Sequence, residues 1–119
     1  MNVISPLVQF QQQLRIFHWQ TDSYAAHKAF GEAYENLDDL VDSFVEEYMG
    51  RFGRSKPTTT FAIELKPLIN MELVDNILFN FLQYLEDMDK EIRTETNLLN
   101  IRDEMKGLVR KLQYLLTLK

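Results

Sequence analysis

Phe30, Tyr34, Leu37, Val41, Phe44 and Tyr48 follow one another at alternating steps of three and four residues without a break. That spacing lines one side of a helix and is incompatible with a strand, whose faces alternate every second residue. Three other segments repeat it: Val3 to Phe17, Val74 to Ile92 and Leu98 to Leu115. No segment reads as a strand. Chemical punctuation sets the ends. Thr21, Asp22 and Ser23 offer N-cap oxygens ahead of the second stripe, and Gly50 and Gly53 offer a left-handed stop after it. Helices are therefore expected over about 3–20, 23–50, 71–95 and 98–117, in one all-α domain spanning residues 1–119. Thr96, Asn97 and Asn100 are candidate caps for the last of them.

The first two helices are separated by a few residues and must form a tight antiparallel hairpin. Between the second and third lie Pro57, a run of threonines and Pro67, a stretch too long and irregular for a bundle turn. A long crossover is expected there, bringing the second and third helices parallel in a four-helix bundle. Phe52 and Phe61 are expected to fold this crossover onto the bundle.

With no cysteine in the chain, disulfides and thiolate metal sites are excluded, so any metal must be held by imidazole and carboxylate, a donor set suited to iron, zinc or manganese. The net charge of −5 argues against nucleic acid as a partner, since that affinity comes mainly from Lys and Arg on phosphates. Lys106, Arg110 and Lys111, with Arg51, Arg54 and Lys56, are the local basic residues, and solvated surface is their commoner role. No apolar run is long enough to cross a bilayer and the N-terminus does not read as a signal peptide, so the expected location is the cytoplasm, the host's if the chain is viral.

The chain has two histidines, and both fall at the expected hairpin: His18 at the end of the first helix and His27 at the start of the second. Asp42 and Glu46 lie one turn apart near the other end of the second helix and share a face. At about 1.5 Å per residue, His27 and Asp42 are roughly 22 Å apart, so one copy cannot close them around an ion. Two copies of the helix, antiparallel about a two-fold axis near residue 35, would bring His27 of each opposite Asp42 and Glu46 of the other. Trp19 would shield such a site. Spacing alone also fits plainer roles: imidazoles satisfied within the core, and Asp38, Asp39, Asp42, Glu46 and Glu47 as a solvated acidic face. A third arrangement would set Glu86, Asp87, Asp89 and Glu91 against the second helix inside one bundle. It lacks the Glu-x-x-His pairs of a ferritin-type di-iron site.

The segment FHWQTDSYAAHKAFGEAYENLDDLVDSFVEEYMGRFG resembles the centre of Dps-type miniferritins, through His-Trp, a second His opening the next helix, and Asp-x-x-x-Glu starting fifteen residues later. The resemblance implies a ferritin-like four-helix bundle with His18, His27, Asp42 and Glu46 as metal ligands. It further implies iron as the metal, oxidised by peroxide or dioxygen in a ferroxidase reaction, and a homo-oligomer of at least a two-fold dimer, up to a dodecameric shell. The sequence departs from that family at Gly31, where its members usually carry Asp, and in a shorter interval between the histidines. The same segment is similar to small proteins of large phages and giant viruses, which implies as the alternative a noncatalytic structural or interaction module.

Overall fold

The computed structural model describes residues 2–54 and 60–118. Five helical elements follow one another: α1 (Ile4–Gln20), α2 (Tyr24–Phe52), α3 (Met71–Asp87), the single turn α4 (Asp89–Ile92) and α5 (Thr96–Leu115). Among the described residues there is no strand. Counting α4 as a continuation of α3, four rods pack into a helical bundle.

Local chemistry starts and stops these helices. The Asn2 carboxamide accepts from the Ile4 and Ser5 amides at 3.0 and 3.3 Å, two donors that helical bonding leaves open at an N-terminus. Ser23 caps α2, its hydroxyl accepting from the Ala26 amide, and Asn70 caps α3 in the same way through Leu73. Of the two glycines expected to stop α2, Gly53 does so, at φ 88° with its N–H on the Met49 carbonyl, whereas Gly50 lies inside the helix.

The expected continuous third helix is interrupted at Met88. A carbonyl explains it. Arg102, a buried side chain of α5, donates to the Leu85 oxygen at 2.8 Å and pairs with Asp89 at 2.5 Å and Asp103 at 2.9 Å. The Leu85 carbonyl would otherwise bond Asp89 one turn on. The last helix begins at Thr96, earlier than expected, after Glu95 and with no side-chain cap.

Three glutamines of α1 hold the crossover. Gln9 accepts from the Glu64 amide, Gln20 from the Leu68 amide, and the buried Gln13 carboxamide both accepts from Lys66 N–H at 2.7 Å and donates to Lys66 O at 2.8 Å. Positions 64, 66 and 68 thus track 9, 13 and 20 in the same direction. The segment runs back along α1 and sets α3 parallel to α2. Phe61 is not folded onto the bundle; it stays 49% exposed, and Phe52 belongs to the last turn of α2, against Tyr48.

Around the bundle the order is α1, α2, α5, α3. Gln11 donates to Asp38 across the α1–α2 pair, while Arg51–Glu95, Asn97–Glu47 and Lys111–Glu32 join α2 to an antiparallel α5. The ring of Phe10 on α1 stacks on Phe81 of α3 at 3.7 Å. Inside lie Leu7, Leu14, Phe17, Phe30, Leu37, Phe44, Leu78, Leu85 and Met105, all fully buried. At roughly 1.5–3 kcal/mol for each large apolar side chain removed from water, this interior is the dominant stabilising contribution.

Candidate metal centre

The hairpin between α1 and α2 brings the two histidines into contact. Their rings stack at 3.8 Å with 17° between planes. His18 Nδ1 lies 2.6 Å from the His27 carbonyl oxygen, and His27 Nδ1 lies 2.8 Å from the His18 carbonyl oxygen. A carbonyl only accepts, so each ring is protonated at Nδ1, and in the neutral ring the lone pair lies on Nε2. His18 O belongs to the last turn of α1, where carbonyls lack helical partners. The clasp therefore fastens one helix end to the next helix start and simultaneously fixes both tautomers. Backbone carbonyls orient metal-binding imidazoles in the same manner.

Close approach depends on Gly31. A Cβ there would stand 2.8 Å from His18 Cε1 and 3.0 Å from Nδ1, inside van der Waals contact. The departure from the miniferritin pattern at this position is thus a space requirement: His18 occupies the volume that any side chain at 31 would need. The shortened interval between the histidines does not keep them apart.

Aromatic and cationic groups surround the pair. Tyr34 meets the His18 ring edge-on at 5.4 Å, and the Arg15 guanidinium lies 4.6 Å from the Tyr34 ring centre and 6.0 Å from that of Trp19. Arg15 Nε is buried with no hydrogen-bond partner among the described residues. Trp19 is 64% exposed and does not shield the histidines within one copy. Neither Arg15 nor Tyr34 was singled out in the sequence as part of a site. The available signal was Gly31 itself, an isolated glycine in the middle of a periodic helix.

Asp42 and Glu46 sit on the exposed side of α2, toward its other end. Hydrogen bonding of the protonated form to Asp42, followed by the charge of Asp42, raises the Glu46 carboxyl above its ordinary value. Two carboxylates this close favour keeping one proton, or one cation, between them. Among the described residues no three His, Asp or Glu side chains of one copy converge into a metal site. Stacked rings add a constraint. An ion about 2.1 Å from both Nε2 atoms would lie almost above each ring instead of along its lone pair, so in this arrangement one ion cannot take both imidazoles.

The carboxylates of α3 and α4 are engaged elsewhere. Glu86 pairs with Lys106, Asp89 with Arg102 and Asp87 accepts from Gln83, while Glu91 lies near Tyr48, whose phenol is pushed up by burial and then by that carboxylate. The intrachain arrangement expected as an alternative does not form. Of the basic residues, Arg51 is occupied by Glu95, Lys111 by Glu32 and Arg110 by Gln113, Arg54 is exposed, and Lys56 lies outside the described residues.

Residues 18–116 match the model of a family of unknown function, DUF5856. The chain belongs to that family. It is also 32% identical over 103 residues to an uncharacterised 14.6 kDa protein encoded in the mobD–ri intergenic region of Enterobacteria phage T4, covering 86% of this chain and 75% of the relative. The similarity to phage proteins read from the sequence is shown by this match. No solved structure matches the chain. Among the described residues, no helix is long and apolar enough to cross a membrane.

Proposed function

We propose that the protein is a Dps-like metal-binding bundle whose ions sit between two copies, with His18 and His27 supplied by one and Asp42 and Glu46 by the other. Iron(II) is the substrate this reading assigns, oxidised to iron(III) by peroxide or dioxygen. The observation that carries it is the reciprocal clasp. Both Nδ1–H groups are spent on carbonyls, which leaves two fixed Nε2 lone pairs at one end of α2, with an unneutralised carboxylate pair at the other. Each imidazole then serves its own ion, and the carboxylates of the second copy neutralise the charge. His, Asp and Glu suit iron, manganese and zinc alike, so the metal preference is part of the test.

A second reading has a specific observation in its favour. The clasp by itself satisfies an orphan helix-end carbonyl, so the histidines have a complete role in a noncatalytic module of a phage-related family. Anaerobic titration with Fe(II), alongside Zn(II) and Mn(II), separates the two. The metal reading expects saturable Fe(II) binding that loses the His27 ion in His27→Ala and both ions in Asp42→Ala while the helical signal is retained. Absence of saturable binding to the unmodified chain leaves only the module.

A further inference from the structure

Odd and even residues of the crossover are held differently. The N–H groups of Glu64, Lys66 and Leu68 all donate to glutamines of α1, and the Gln13 carboxamide meets both the N–H and the C=O of Lys66. A backbone that sends the groups of every second residue to one side is extended. The spacing agrees: Gln9 and Gln13 are about 6 Å apart along α1, and two residues of extended chain span about 6.6 Å. Positions 61, 63 and 65 then turn their N–H and C=O away from α1, where no partner meets them among the described residues. Their side chains, Phe61, Ile63 and Leu65, are apolar and 49, 41 and 39% exposed. Pro67, with no N–H, ends the row. An extended edge with no neighbour accepts another extended chain.

A cavity indicates what that chain carries. About 260 Å³ lies between α1, α3 and the crossover, with Phe10, Ile77 and Phe81 as its floor and the exposed Glu64 and Lys66 at its rim. The volume falls short of the roughly 300–1,000 Å³ of small-molecule pockets and suits one large side chain. Because the even positions line the cavity, the odd ones turn their side chains outward, and a strand laid on the free edge would aim every second side chain at the floor. A second copy of this chain would offer it only the alanine, glutamate and lysine of its own even positions, a poor match for apolar walls. Lys66 has no ion pair among the described residues and favours an acidic neighbour. We infer that the crossover edge docks an extended segment of another protein, with an aromatic side chain in the cavity and an acidic residue two places from it. This surface is independent of the metal reading.

The test uses capped, dye-labelled peptides with valine at every second position, phenylalanine at the centre and aspartate two places to either side, and reads fluorescence anisotropy with the full chain. The expected result is saturable binding, weakened by about tenfold or more when the central residue is alanine. Methylating one alternate set of peptide amides should abolish binding and methylating the other should leave it, because only every second N–H of a strand faces its neighbour. Ile77→Trp fills the cavity, and Ile63→Pro removes one outward N–H while leaving the glutamine bonds in place. Each should weaken binding by about tenfold, and Lys66→Glu by roughly threefold, with far-UV dichroism to check that every variant is folded. No saturable binding of the phenylalanine peptide overturns the inference, as do equal effects of the two methylated sets. A particle mass in light scattering that halves in Ile63→Pro assigns the edge to a second copy and overturns it too.

Discussion

The two long outer surfaces of this bundle are built on opposite plans. On the α3–α5 side, α5 carries Arg102, Asp103, Glu104, Lys106, Arg110 and Lys111, and each of its cations has a partner in its own chain. On the α1–α2 side, α1 has one cation and it has none among the described residues, while Asp42 and Glu46 crowd each other. A surface whose cations are paired within the chain is complete in its charges, and its one buried polar atom without a partner among the described residues is the Tyr84 hydroxyl of α3. One that leaves a guanidinium, two imidazole lone pairs and a carboxylate pair open is complementary to something else. The contrast separates the part of the molecule that maintains the fold from the part proposed to act.

The largest effect on folding should therefore come from the finished side. Arg102→Ala removes the donor to the Leu85 carbonyl, which then stays unpaired unless the α3–α4 break closes and the Asp89 amide reaches it. The expected loss is about 2 kcal/mol in chemical denaturation, because a buried polar group stripped of its partner costs about 1–3 kcal/mol and Asp89 and Asp103 remain solvated. Arg15→Ala, the corresponding change on the open side, should cost under about 0.5 kcal/mol in a dilute monomer. Equal losses from the two variants would erase the contrast.

Gly31→Ala sharpens it at the clasp. Alanine in a helix interior is ordinarily favoured over glycine by about 0.8–1.0 kcal/mol, but here the new methyl meets the His18 ring at 2.8 Å. Overpacking costs about 1–3 kcal/mol, so the net expectation is a destabilisation of about 1 kcal/mol together with displacement of the His18 imidazole resonances. A stabilised protein with an unmoved ring would show that the clasp tolerates a side chain.

Glu46 gives the smallest effect. Its carboxyl is held above its ordinary value by Asp42, so Asp42→Asn should bring its NMR titration midpoint down. The sign follows from the raised folded value. The fold favours protonated Glu46, this small contribution is present below the unfolded value, and it is lost as pH rises through the folded one. A bound cation competes for the same place as the proton, so metal uptake should strengthen with pH over that window. An unchanged midpoint in Asp42→Asn would mean that the two carboxylates are not in contact.

The apolar stripes made the four rods legible, since burial of one face is what produces a step of three and four. The long crossover was legible from its prolines, and the meeting of the histidines from their place on either side of a short turn. What escaped the sequence depends on contacts between distant residues. Leu85, Met88 and Ile92 keep the stripe in phase across the break after α3, and the group that captures the Leu85 carbonyl, Arg102, lies 17 residues further on. Phe61 read as a buried anchor because aromatic residues usually are, yet it is the glutamines of α1 that bind this segment, through its backbone. Parallel stacking of the imidazoles, which bars both from a single ion, depends on ring torsions that residue spacing does not encode. Gly31 was visible as a departure, and its reason emerged only when the His18 ring stood against it.

Complementation tests the central claim most directly: the site is completed by a second copy. His27→Ala and Asp42→Ala are mixed, unfolded and refolded together, and Fe(II) binding is measured per chain. A heterodimer built from the two has one intact pairing of His27 with Asp42 and one in which both are lost. The expected result is that the mixture regains the ion at His27, which neither parent can hold, up to one per heterodimer. A mixture that binds no more Fe(II) than the sum of its parents, from an unmodified protein that does bind it, would contradict the claim.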